Sequence, residues 1–368
     1  MAFALMRHLV PSNILTLNPY YPGKPIEDVE REFGIKDSIK LASNENPLGP
    51  SPKALATIKK YLKKIHLYPD STTYYLKQIL SSYLKVSEKN IIIGNGSNEI
   101  IELIARTFLT PQSESVIADQ AFIVYQMIVQ AVGAKKIIVP LKNYTHNLLG
   151  MAECINKNTR IIFIANPNNP TGTIVNDEVF EQFLNLVPED VLVVLDEAYM
   201  EYVTDKNYPN SIQYLSTRNN LIILRTFSKI YGLAGLRIGY GIANQEVIEL
   251  LNKIRQPFNV NSLAQVAAIA SLSDEAHVKR SLENNEEGKA YLYNEFERLG
   301  LSYVPTSANF ILVHCEQDCT ILSNKLLKLG VIVRPMRSYN FPNSIRVTIG
   351  LPKENNKFIS ALKKVLSH

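Results

Sequence analysis

The sequence predicts an α/β protein: a mostly parallel central sheet in a large domain, joined to a smaller α+β domain. Three observations carry that expectation. From about residue 91 to 255, short Val- and Ile-rich runs alternate with amphipathic helical patterns. The runs are apolar at nearly every position, as strands buried on both faces are. Beyond Asn261 the pattern changes to longer helices with a few strands among them.

Taken in order, strands are expected at 91–94, 115–118, 136–140, 160–165, 191–195, 221–225 and 236–242. Helical patterns fill 98–109, 125–133, 176–187 and 244–255 between them. The Pro-rich stretch at 19–52 reads as irregular. After it, the lysines of 59–64 repeat at helical spacing and read as a solvated face. Toward the C-terminus, helices are expected at 262–272, 280–299, 320–330 and 356–366, with strands at 309–314, 331–334 and 344–349. A break around Pro257 divides the chain into an arm (1–45), a large domain (46–256) and a small domain (257–368).

Composition narrows the class. The chain has 368 residues, 46% hydrophobic and 20% charged, which excludes a disordered or fibrous protein. Lys plus Arg is 39 against 34 Asp plus Glu, a net +5 too diffuse to imply nucleic acid. Cys154, Cys315 and Cys319 cannot all pair and lack zinc-site partners, so reduced thiols in a cytoplasmic, soluble protein are expected. The first 18 residues hold no signal-peptide core, and no apolar run approaches a membrane span.

In parallel sheets, ligands sit beyond the carboxyl ends of the strands. Four expected strand ends carry polar, specific residues: Gly94-Asn95-Gly96-Ser97-Asn98, Asn166-Pro167-Asn168-Asn169, Asp196-Glu197-Ala198-Tyr199 and Thr226-Phe227-Ser228-Lys229. The glycine loop opens a helix and suits an anion such as phosphate. It lacks the Gly-Lys-Ser/Thr of a nucleotide P-loop. It also lacks the third glycine of a dinucleotide fingerprint, where Glu99 stands, although Asp119 follows at about the right distance. A nicotinamide-dependent dehydrogenase therefore stays open as an alternative at this point. A pure ligand-binding module does too.

Asp196 ends a run of five apolar residues, where a carboxylate needs a cationic or hydrogen-bonding partner. By itself it reads as a helix cap, and Lys229 by itself as a solvated lysine. Together, a phosphate cradle, a strand-end Asp, a strand-end Lys and Arg237 suit an aromatic aldehyde cofactor with a phosphate tail.

The run from Arg225 through Thr226-Phe227-Ser228-Lys229 to Arg237-Ile238-Gly239 resembles the cofactor-lysine segment of class I/II pyridoxal-phosphate aminotransferases. The segments 166–172 and Asp196-Glu197-Ala198-Tyr199 resemble that family's other two signatures, in order. Within it, Leu41-Ala42-Ser43-Asn44-Glu45-Asn46-Pro47-Leu48-Gly49-Pro50, Tyr68-Pro69-Asp70, 255–261 and 330–336 are most similar to the histidinol-phosphate aminotransferases. The likeness runs from about Asn18 to the C-terminus.

The resemblance implies a fold-type I pyridoxal-phosphate transferase acting as a homodimer. Lys229 holds the cofactor covalently and moves the proton. Asp196 pairs with its ring nitrogen, Asn169 and Tyr199 with its phenolic oxygen, and Phe122 with its ring face. Gly96, Ser97, Asn98, Thr226, Ser228 and Arg237 hold the phosphate, joined by Tyr68 from the other subunit. Arg334 and Arg346 bind the anionic ends of histidinol phosphate and of 2-oxoglutarate or glutamate, with Tyr20 adding a hydroxyl. Two departures border the substrate pocket: 336–343 lacks the usual glycine, and 121–125 is aromatic in an uncommon form. They keep an aromatic amino-acid aminotransferase and a phosphate-recognising decarboxylase in play.

Overall fold

A computed structural model of the chain describes residues 6–20 and 23–367. Its strands run in chain order as β1 (Ile39–Lys40), β2 (Ile91–Gly94), β3 (Glu114–Ala118), β4 (Lys135–Val139), β5 (Thr159–Ala165), β6 (Leu192–Asp196), β7 (Leu221–Thr226), β8 (Gly239–Ala243), β9 (Tyr303–Val304), β10 (Phe310–His314), β11 (Val331–Ile332), β12 (Arg334–Pro335) and β13 (Ser344–Thr348). Seven of them form one sheet in the order β2-β8-β7-β6-β5-β3-β4. Pairing is parallel throughout except around β8, which runs against both β2 and β7.

Both faces of this sheet are covered, which explains the unbroken apolar runs. Alternate residues of one strand enter different cores. Val193 and Leu195 of β6 pack with Phe180 and Phe227, whereas Leu192 and Val194 pack with Tyr125 and Phe163 on the other side. Val and Ile suit such positions because their branched side chains fit a pleated, buried surface.

A second sheet, β12-β13-β10-β9, is antiparallel and packs under helices Glu275–Arg298 and Pro352–Leu366. The arm joins it through β1, which pairs with β11 in parallel. Helix Ser262–Leu272 lies beyond Pro257, yet its Ala264, Ala267 and Ala268 share a core with Leu195 and Phe227.

Several local expectations are corrected. The strand expected at 236–242 starts only at Gly239, because Ala234–Leu236 form a 3-10 turn and Arg237 is left-handed with φ +57°. The strand expected at 331–334 is two: β11 pairs with β1, and β12 pairs with β13. The stretch read as irregular contains β1 and helix Ile26–Phe33, whose polar outer face hides a single buried Val29. Helix Tyr74–Leu84 had no counterpart in the sequence reading; it buries Leu76, Leu80 and Leu84, four residues apart. Among the described residues no helix is long and apolar enough to cross a membrane.

Candidate active site

Strands β5, β6 and β7 are parallel, and β2 shares their direction because two antiparallel steps through β8 restore it. Their carboxyl ends therefore meet at one edge. A cavity of about 190 Å³ opens there, walled by Ser97, Asn98, Phe122, Asn169, Asp196, Tyr199, Thr226, Ser228, Lys229 and Arg237, with Tyr20 and Arg346 from outside the sheet. Lys229 and Asp196 thus face the same space.

The anion end is built around glycine. Gly96 has φ +74°, and a Cβ on it would stand 2.6 Å from Arg237 Nη2. A Cβ on Gly239 would stand 2.6 Å from the backbone nitrogen of Ser97, the first residue of helix Ser97–Phe108. Two glycines thus let a guanidinium and a helix start close on one point, which favours a phosphate. Arg237 Nη1 donates to Ser228 Oγ at 3.4 Å, and Ser228 N donates to Thr226 Oγ1 at 3.1 Å.

Asp196 is buried. Tyr125 donates its hydroxyl to Oδ2 at 2.7 Å, and Ala198 N donates to Oδ1 at 3.1 Å. Burial lifts its carboxyl to about 6, against the pull of these donors and of Lys229. Lys229 Nζ donates to Ser43 O at 3.3 Å and lies 5.3 Å above the Tyr199 ring centroid. Burial, followed by the nearby Arg346 charge, brings its amine down to about 8. Such an amine is neutral often enough near pH 7 to serve as nucleophile and base. Tyr199 Oη accepts from Asn44 Nδ2 at 2.9 Å and from Asn169 Nδ2 at 3.5 Å.

Arg346 is 6% exposed, and among the described residues no carboxylate pairs with it. Nη1 donates to Asn169 Oδ1 at 2.5 Å and Nη2 to Ala42 O at 2.8 Å, while Nε has no partner. Such a buried cation invites an anion.

Three of the residues predicted from sequence stand apart from the cavity wall. Gly96 lies behind it, under Arg237. Arg334 lines a neighbouring cleft of about 360 Å³ with Tyr20, its guanidinium 5.1 Å from that ring's centroid. Tyr68 is 82% exposed and stacks on Phe258 at 4.7 Å. Sequence reasoning missed Ser43, Asn44, Tyr125 and Tyr339, all on the wall. Tyr125 had a signal: it follows Phe122 by one helical turn, and the two rings meet edge to face at 5.6 Å. Asp119, the dehydrogenase-like feature, accepts from Asn340 Nδ2 at 3.1 Å instead of lining this cavity.

The sequence profile of the family "Aminotransferase class I and II" matches residues 36–362. The chain belongs to that family. A histidinol-phosphate aminotransferase of Moorella thermoacetica is 54% identical over 355 residues, 96% of this chain and 92% of that protein. Histidinol-phosphate aminotransferase 1 of Nitrosococcus oceani is 47% identical over 366 residues, 100% of this chain and 99% of its own. The crystal structure of histidinol-phosphate aminotransferase from Sinorhizobium meliloti in complex with pyridoxal-5'-phosphate superposes with a TM-score of 0.90 at 28% identity, covering 97% of each chain. Membership of that family takes away the footing of the dehydrogenase alternative.

Proposed function

We propose that this chain is a histidinol-phosphate aminotransferase, exchanging an amino group between L-histidinol phosphate and 2-oxoglutarate in histidine biosynthesis. The observation that carries the proposal is Arg346: a buried guanidinium without a carboxylate partner among the described residues, in one cavity with Lys229 and Asp196.

The residues present fit pyridoxal phosphate. The space between Gly96, Ser97, Ser228 and Arg237 suits its phosphate, and the acidic group across the cavity suits its ring nitrogen. When bound, the cofactor supplies an electron sink for the pair released at the substrate's amino-bearing carbon. Lys229 Nζ would anchor the cofactor and serve as the base at that carbon. Asp196, kept charged by Tyr125 and Ala198, holds a proton on the ring nitrogen. Asn169 and Tyr199 would hold the phenolic oxygen, and Phe122 would offer its ring to the cofactor. Thr226, Asn98 and Ser97 complete the phosphate cradle, and Tyr68 reaches it from a second subunit.

At the substrate end, Arg346 and Arg334 bind two anionic groups. Guanidinium forks accept phosphate and carboxylate alike, so one pocket serves both half-reactions. Tyr20, shared between the cavity and the Arg334 cleft, adds its hydroxyl. The dimer is supported by exposed apolar residues in one stretch, Ile65, Leu67, Tyr68, Tyr75 and Tyr83, each more than half exposed. A cytoplasmic setting is supported by three unpaired cysteines.

Steady-state rates with L-histidinol phosphate and with phenylalanine test this reading. A strong preference for histidinol phosphate is expected. Equal or better turnover of phenylalanine overturns it in favour of an aromatic aminotransferase. Release of carbon dioxide in place of an oxo product points to a decarboxylase.

A further inference from the structure

Three consecutive arm residues each touch a different group of the cavity. Ala42 O accepts from Arg346 Nη2 at 2.8 Å, Ser43 O accepts from Lys229 Nζ at 3.3 Å, and Asn44 Nδ2 donates to Tyr199 Oη at 2.9 Å. The first two are backbone carbonyls, which any residue type supplies. The third depends on the side chain at position 44.

The orientation of that amide is forced. Asn44 N donates to Thr348 Oγ1 at 2.9 Å, and the Thr348 hydroxyl donates in turn to Asn44 Oδ1 at 3.2 Å. Oδ1 is thereby committed to β13, and Nδ2 is left for Tyr199. Asn309 Nδ2 donates to Asn44 O at 3.0 Å and fixes the backbone. Asn44 is 1% exposed and sits at φ +57°, a left-handed conformation that asparagine adopts more readily than other side-chain-bearing residues.

A tyrosine hydroxyl has one proton to donate and lone pairs to accept. Asn44 and Asn169 both approach Tyr199 Oη as donors, and among the described residues nothing accepts its proton. The hydroxyl is held protonated by burial. Its one proton is therefore available to whatever occupies the cavity. Donation into Oη also polarises the O–H and makes it a better donor.

We propose that Asn44 is a positioning residue that aims the Tyr199 proton into the cavity, at the phenolic oxygen of the bound cofactor. The cofactor part rests on the pyridoxal-phosphate reading above; the aiming of Tyr199 does not. A donor held at that oxygen favours its anionic form and lowers the pH at which the bound chromophore loses its proton. Thr348, the anchor of Asn44, lies two residues from Arg346 on β13, so one strand face carries both. The charges that face Tyr199, from Arg346, Asp196 and Lys229, stay in place in the variants below.

Two variants separate the amide from the backbone. Asn44→Gly keeps the left-handed conformation and removes the donor. Asn44→Asp keeps the shape and puts an acceptor where the donor was, drawing the Tyr199 proton back toward the arm. In the cofactor-loaded protein, the pH midpoint of the near-visible absorption band is expected to rise by about one unit in Asn44→Gly, and further in Asn44→Asp. Turnover is expected to fall roughly tenfold with the KM for glutamate little changed. In the cofactor-free protein labelled with 13Cζ-tyrosine, the Tyr199 resonance, assigned by its loss in Tyr199→Phe, shifts in both variants. Should either variant fail to fold, Thr348→Val, which releases the amide, takes its place and moves the same readouts in the same direction. An unmoved Tyr199 resonance, or a midpoint unchanged in both variants, overturns the proposal. A wild-type protein with no near-visible band overturns the functional reading instead, and the cofactor-free resonance then decides the role of Asn44.

Discussion

The two halves of the cavity are built differently. The half at the strand ends gives its buried carboxylates hydrogen-bond or ion-pair partners before any substrate arrives. Asp196 takes two hydrogen bonds, and on the opposite face of the same strands Glu197 and Arg225 form an ion pair at 2.8 Å, both almost fully buried. The half made from the arm and the second sheet leaves Arg346 with neutral oxygen acceptors alone among the described residues. The strand-end half is finished around its carboxylates; the other, open half holds a guanidinium with no charge partner among the described residues. Removing a partner of a compensated charge should therefore cost stability, and removing Arg346 should not.

The largest effect falls on the finished half. Lys229→Ala removes the amine proposed as nucleophile and base, so transamination should drop by on the order of 10⁴-fold or more while the melting curve stays cooperative. Residual turnover near wild type would show that another amine carries the chemistry. Next comes the ion pair beneath the site. Glu197→Gln removes the carboxylate paired with Arg225 and leaves Glu201 as a nearby buried carboxyl, so it should cost up to about 3–5 kcal/mol in urea unfolding. A loss below about 1 kcal/mol, the range of an exposed pair, would erase the contrast drawn above. Arg346→Gln should do the reverse. The kcat/KM for glutamate falls by about 10²-fold, whereas the cofactor-free protein keeps or gains stability because an uncompensated cation has gone. Loss of stability with an unchanged KM would sink the idea of an open anion site.

The same contrast explains how much could be read in advance. The strand-end half is local in sequence: Asp196 with Tyr199, and Thr226, Ser228 and Lys229 with Arg237, each sit in one short segment that an unbroken apolar run delivers to the sheet edge. Period-two alternation does the rest, sending Asp196 to one face and Glu197 to the other. The open half is assembled from afar. Arg346 meets Ala42 across 304 residues, and Asn44 meets Tyr199 across 155. No periodicity encodes such pairs, so Ser43 and Asn44 went unnoticed although their motif was recognised. Arg334 was expected in the substrate pocket, but β11 and β12 change sheet partner at Val333, and it lies in the neighbouring cleft against the Tyr20 ring.

The smallest effects are in the pH dependence of the cofactor-free protein, where His146 opposes two buried carboxyls, Asp196 and Glu201, the latter lifted by burial to about 7. His146 accepts from Ala165 N at 3.3 Å, and burial holds its imidazole down at about 4. Between about pH 6.5 and 4 the unfolded chain binds a proton there that the native state refuses, so this group removes stability as the pH falls. Asp196, lifted to about 6, does the opposite: between about pH 6 and 4 the native state holds a proton that the unfolded chain has lost, so stability rises as the pH falls. Each slope is at most about 1.4 kcal/mol per pH unit, so His146 and Asp196 nearly cancel each other in the wild type. Asp196→Asn takes away its share of the gain and leaves the loss from His146. Its urea midpoint should therefore fall relative to the wild type's from pH 6 to pH 4, whereas that of His146→Gln should rise relative to it. Parallel curves for Asp196→Asn and wild type would mean that the carboxyl is already ionised throughout that window, and that Tyr125 and Ala198 outweigh the burial that lifts it.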